Sequence, residues 1–167
     1  MASGDTLAVF TPLSVSFPAS NFATPDLRNN HPTLDFDGTT DEEAYFEGVM
    51  PSNYGGGSVV VDIYVGFSSA TSGSARFQTD FERVASGGTD LDADSFTGSM
   101  QSAGGTANGT SGVLSKVSIT HTAGAQMDSV AAGEPFRLLV RRDADGTSGT
   151  DDIATDAEVY RVVIREA

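Results

Sequence analysis

SVVVDIYVGF, residues 58–67, decides the fold, because Val59, Val61, Ile63, Val65 and Phe67 fall on one side of an extended chain. Strict period-two alternation of this kind marks a half-buried β-strand. The opposite side carries Ser58, Val60, Asp62, Tyr64 and Gly66, the mixed face of an antiparallel sheet with one side toward water. The pattern recurs along the chain. Residues 74–84 place Ala75, Phe77, Thr79 and Phe81 opposite Arg76, Gln78, Asp80 and Glu82. Residues 113–120 align Val113, Val117 and Ile119, and residues 134–142 align Phe136, Leu138 and Val140. Residues 157–166 point Tyr160, Val162 and Ile164 toward the expected core. Connectors rich in Gly, Ser, Thr and Asp separate these runs at 53–57, 68–73, 86–90, 98–112 and 144–150. Short strands divided by such turns indicate a sandwich or barrel. The expected fold is all-β: an antiparallel β-sandwich, a jelly roll of about eight strands, with another Greek-key sandwich as second choice.

The first 40 residues read differently. Pro12, Pro18, Pro25 and Pro32 recur through them, and proline removes a backbone donor and fixes φ, which excludes helix and central strand. The same segment is too apolar for a solvated tail. An extended N-terminal arm over residues 1–40, ahead of a jelly-roll domain over 41–167, fits both facts. Leu7, Val9, Phe10, Phe17, Phe22 and Leu27 are then the candidate contact residues. They would dock on a neighbouring subunit, on a larger surface or on the chain's own sandwich.

The chain has 167 residues and no Cys, with 9 Lys+Arg against 23 Asp+Glu, a formal net charge of −14. Disulfides, Cys-ligated zinc and thiol chemistry are excluded. Phosphate backbones are bound largely by Lys and Arg, so nucleic acid is not an expected partner, and anionic membranes are disfavoured for the same reason. Such charge is best tolerated in salty water, where screening is short-ranged. The opening residues MASGDTLAVF lack the basic and apolar regions of a secretory signal, so synthesis and folding in a cytoplasm are expected.

Motifs for chemistry are sparse. Asp90, Asp92 and Asp94 open like an EF-hand loop, but Ser95 and Gln101 stand where Gly and a bidentate Glu are needed. Asp143, Asp145 and Asp151 form a better irregular calcium candidate, although Asp and Gly are also favoured in solvated turns for backbone reasons. His31 and His121 have no nucleophile-elbow motif beside them, and Gly109-Thr110-Ser111-Gly112 reads as a turn. Gly55-Gly56-Gly57 is followed by no Lys and no helix, so it is not a phosphate loop. Without Trp, a sugar-stacking platform would fall to Tyr45, Tyr54 or Tyr64. The composition points to a binding protein, not an enzyme, and implies no cofactor.

The segments Ala23-Thr24-Pro25-Asp26-Leu27-Arg28-Asn29-Asn30-His31-Pro32-Thr33-Leu34-Asp35-Phe36-Asp37 and Gly124-Ala125-Gln126-Met127-Asp128-Ser129-Val130-Ala131-Ala132-Gly133-Glu134-Pro135-Phe136-Arg137-Leu138 resemble a family of small proteins of tailed phages and prophages. Phe46-Glu47-Gly48-Val49-Met50-Pro51 and Ser69-Ala70-Thr71-Ser72-Gly73 match it too. The resemblance implies a head-decoration (cement) protein like those of marine siphophages. Such a protein would be a jelly-roll homotrimer on the outer capsid surface of the virion, bound to the major capsid protein. It implies no catalytic residues. A carbohydrate-binding or tail- and fibre-associated β-sandwich is the alternative.

Overall fold

In the computed structural model, which describes residues 2–167, the alternating stretches pair into two antiparallel sheets stacked as a jelly-roll sandwich. The strands are β1 (Thr6–Phe10), β2 (Val15–Ser16), β3 (Thr24–Arg28), β4 (His31–Phe36), β5 (Glu42–Val49) and β6 (Val59–Phe67). They continue with β7 (Ser74–Arg83), β8 (Gln101–Thr106), β9 (Ser115–His121), β10 (Pro135–Arg142) and β11 (Ala157–Glu166). The first sheet runs β3-β4-β11-β6-β9 with β1 also on β11, and the second runs β2-β5-β10-β7-β8.

The eleven strands among the described residues exceed the expected eight, and most of the surplus lies in the first 40 residues. The arm is extended, but it is woven into the chain's own sandwich. β1 and β4 share one edge of β11, with β4 on Ala157–Val159 and β1 on the segment from Val162 to Arg165. β2 pairs with β5, and β3 and β4 form a hairpin on the rim of the first sheet. The prolines are accommodated without breaking a central ladder. Pro12 opens a 3₁₀ turn capped by Thr11, and Pro25 lies on the edge strand β3, where a missing donor is tolerated. A bulge between Thr6 and Ala8 lets Leu7 and Phe10, three residues apart, both face inward. Phe10 stacks on Phe46 at 5.4 Å and meets Phe136 edge-on at 6.3 Å.

The inward faces of β6, β7 and β10 are those read from the sequence: Val59, Val61, Ile63, Val65, Phe67, Ala75, Phe77, Phe81, Phe136, Leu138 and Val140 are all buried. In β11 the alternation breaks. Val159 pairs with Val65 and Arg161 with Tyr64, which leaves Tyr160 as the extra residue of a bulge. Ala157 and Val159 face the core before it, Val162 and Ile164 after it, because one inserted residue reverses the phase of a period-two strand. Tyr160 therefore points outward, not into the core. Val113 also lies outside: it precedes β9 and is exposed. β8, within the expected connector 98–112, carries no alternation because it is built from Gln101-Ser102-Ala103-Gly104-Gly105-Thr106. Gly105 belongs there because a Cβ would collide with Val117.

Arg142 closes one end of the sandwich with no exposed surface. Its Nε and Nη2 donate to the two carboxylate oxygens of Asp151 at 2.9 and 2.8 Å. Nη1 donates to the Phe36 carbonyl at 3.2 Å and the Thr155 carbonyl at 2.8 Å, and Nη2 also reaches the Ile153 carbonyl. All five N–H groups of the guanidinium are thereby used, and the end of β10 is joined to β4 and to the loop before β11. Breaking a buried pair by removing one partner typically costs about 3–5 kcal/mol. Arg142→Met is expected to lose about that much in urea unfolding monitored by circular dichroism; a loss below about 1 kcal/mol would contradict this role.

His121 is the other buried polar hub. Its Nδ1 lies 2.9 Å from the Gln126 carbonyl, which can only accept, so Nδ1 carries the proton. Its Nε2 accepts from the Thr79 hydroxyl at 2.7 Å, and its ring meets Phe81 edge-on at 4.9 Å. Burial pushes its pKa down to about 4. The unfolded chain takes up this proton first, so stability present above pH 6.5 is lost as pH falls toward 4. At about 1.4 kcal/mol per unit the loss is about 3 kcal/mol. Wild type is expected to lose stability more steeply than His121→Asn over that window, as read from unfolding free energies at a series of pH values.

Candidate functional site

The outer face of the first sheet holds a hollow of about 440 Å³ between the β3–β4 turn, β11 and the loop before β9. Three local features shape it. Asn29 and Asn30 have φ of 47° and 64°, the left-handed pair of a two-residue type I′ hairpin turn. That turn sets Arg28 opposite His31. The bulge then turns Tyr160 out of the core and beside His31, with ring centroids 5.9 Å apart and nearly perpendicular. The third wall is the segment Ser111–Leu114. It closes on Arg28 because Gly112, at φ 78°, leaves space that a Cβ would fill, 2.8 Å from the guanidinium.

Arg28 ties the three walls together. Nη1 donates to the Phe67 carbonyl at 2.9 Å and Nη2 to the Ser111 hydroxyl at 3.1 Å. The guanidinium also forms an ion pair with one oxygen of Glu158 on the floor; among the described residues nothing donates to the other oxygen. Asp35 faces Glu158 across the β4–β11 ladder. Burial pushes its pKa up to about 6, helped by the charges of Glu158 and Asp26. Arg161 lies over the Tyr160 ring at 4.4 Å. The rim is apolar, with Val113 and Leu114 both exposed, while Asn29, His31 and Thr33 line the hollow with polar groups. Ring surfaces and an apolar rim thus stand beside a few fixed donors and acceptors, a composition common to small-molecule pockets.

Of the residues singled out in the sequence for chemistry, His31 lines the hollow, and the acidic, arm and tyrosine candidates fall elsewhere. Asp143 and Asp145 converge with Asp41, their nearest carboxylate oxygens within 4.8 Å of one another. Asp151 is withdrawn from this group by its bidentate hold on Arg142. Asp143 already accepts from the Thr147 hydroxyl at 2.9 Å and the Ser148 amide at 2.7 Å, and Asp41 pairs with Arg141 at 2.9 Å. The three acids could supply oxygens to a calcium ion, which needs 6–8; the hydrogen bonds they already make hold the 143–148 turn.

Of the six arm residues, Leu7 and Phe10 belong to the core and are not free to meet a partner, while Val9, Phe17, Phe22 and Leu27 are exposed. Among the tyrosines, Tyr54 is buried with its hydroxyl on the Gly57 carbonyl. Tyr64 is half-buried on the outer face of the first sheet and Tyr45 on that of the second. Tyr160, Asn29 and Glu158 were not legible as a site. The Asn-Asn pair between two short extended runs was a readable turn signal; the bulge had none.

No protein-family model and no curated protein matches the sequence. Among solved structures the chain is similar to a family 35 carbohydrate-binding module from an environmental isolate. The TM-score is 0.55 at 11% identity, covering 96% of this chain and 98% of the module. It is also similar to part of a family GH115 4-O-methyl-α-glucuronidase with specificity for decorated arabinogalactans. There the TM-score is 0.54 at 9% identity, covering 99% of this chain and 18% of the enzyme. At these identities the likeness establishes the jelly-roll β-sandwich and nothing about ligands.

Proposed function

We propose that this protein is a non-catalytic carbohydrate-binding β-sandwich, with the hollow beneath Tyr160 as its sugar site. The observation that carries the reading is the grouping of two rings, His31 and the half-buried Tyr160, with Glu158, Asn29 and Thr33 in one open cavity. A pyranose presents an apolar C–H face to rings and paired hydroxyls to amides and carboxylates. The likeness in fold to a carbohydrate-binding module over 96% of the chain supports the same reading.

Head decoration, which the family resemblance implies, is the second reading. It draws on the exposed Val9, Phe17, Phe22 and Leu27, and the burial of Leu7 and Phe10 removes two of its six contact residues. The sugar reading uses a formed cavity and is the better supported.

Labelled protein on a broad glycan array is expected to give a small set of related hits. Tyr160→Ala should weaken each by about tenfold, the effect of losing one well-placed aromatic contact, with an unchanged melting temperature. Absence of any glycan hit, or hits indifferent to Tyr160→Ala, would overturn the assignment.

A further inference from the structure

The second sheet carries an aromatic strip of its own, remote from the hollow. Phe22 forms a parallel bridge with Glu43, so its side chain shares the outer face with Glu43 and, two residues on, Tyr45. The flanking backbone is fixed: Ala23 donates to the Glu43 carbonyl at 3.0 Å, and the Glu43 amide to Asn21 at 2.9 Å. Phe17 packs against Phe22 with ring centroids 5.4 Å apart. They keep 37% and 40% exposure. On the other side of Glu43, Tyr45 meets Phe96 at 5.2 Å.

Carboxylates interleave these rings. Glu43 accepts from the Tyr45 hydroxyl at 2.7 Å through one oxygen, and the exposed Glu47 lies two residues beyond Tyr45. A ring face flanked by carboxylates attracts cations twice over, by its quadrupole and by the adjacent charge. The strip already does so within the chain. The Arg137 guanidinium lies 5.8 Å from the Tyr45 ring and 5.0 Å from the Phe96 ring, held there by Glu82. Arg141 and Arg137 stand opposite Glu43 and Glu47 in the β5–β10 ladder but pair with Asp41 and Glu82. Among the described residues no guanidinium lies over the Phe17 or Phe22 ring, and the net charge of −14 would steer one toward them.

We propose that the Phe17–Phe22 edge of the second sheet, with Glu43 and Glu47, docks a basic segment of a partner protein. Arg or Lys side chains of that segment lie on the two rings and pair with the two carboxylates, repeating outside the chain the arrangement that Arg137 makes within it. This surface is independent of the sugar hollow and stands whether or not the chain binds glycans.

The test uses a capped, fluorescent hexa-arginine peptide and anisotropy at physiological salt, with the wild type and two double variants, Phe17→Ala/Phe22→Ala and Glu43→Gln/Glu47→Gln. Saturable 1:1 binding is expected, weakened about tenfold or more in each variant. Melting curves show whether the variants stay folded, and the Gln pair keeps side-chain volume if the Ala pair does not. Absence of saturable binding would overturn the proposal. So would a loss under about threefold in either folded variant, since attraction to a net-negative protein is then diffuse.

Discussion

The extra residue in β11 is the constraint on which the rest of the molecule depends. β11 lies against β6 along its whole length and against β4 and β1 along its two halves. Without the bulge, a strand that buries Ala157 and Val159 would turn Val162 and Ile164 to solvent. With it, both halves face the core, the N-terminal strand finds an edge in the right phase, and the displaced Tyr160 becomes the wall of the hollow. The same irregularity that permits the fold thus creates the ring pair proposed to hold a sugar.

Electrostatics supplies the second constraint. Among the described residues seven of the nine basic residues form ion pairs, three of them between neighbouring strands. Lys116 and Arg165 bracket Asp62, for example, and Arg137 holds Glu82. The cations are concentrated on the scaffold, so many acids of the loops and rims have none. Asp35 is raised by burial and by its acidic neighbours, and Glu42 by burial first and then by Asp37 and Asp156. Self-repulsion of this kind weakens as salt rises. The same distribution leaves Phe22 beside Glu43 on the outer face of the second sheet, whereas on the first sheet Arg161 lies over Tyr160.

Much of the architecture was legible because burial on one face and exposure on the other write themselves into alternating residues. Residues 58–67, 74–84 and 134–142 show this directly. What escaped was structure that leaves no such trace. β8 is a glycine-rich edge strand, and the N-terminal strands are too short and too interrupted by proline to alternate. Tyr160 looked like a core residue because a bulge is invisible to a period-two reading. The acidic loop was half legible: Asp143 and Asp145 do converge, but with Asp41 from across the fold, and Asp151 serves a buried arginine instead. The hollow proposed to hold a sugar is assembled from β3, β4, β11 and the loop before β9, and no single segment carries its pattern.

The central claim is that the bulged Tyr160, the β3–β4 turn and the loop before β9 form one ligand-binding surface. Amide chemical-shift mapping of isotope-labelled protein, titrated with the strongest-binding array glycan, tests it most directly. The account predicts saturable shifts clustered at Arg28, Asn29, His31, Gly112, Leu114 and Tyr160, with the second sheet silent. Shifts centred elsewhere, or none at saturating sugar, would contradict it.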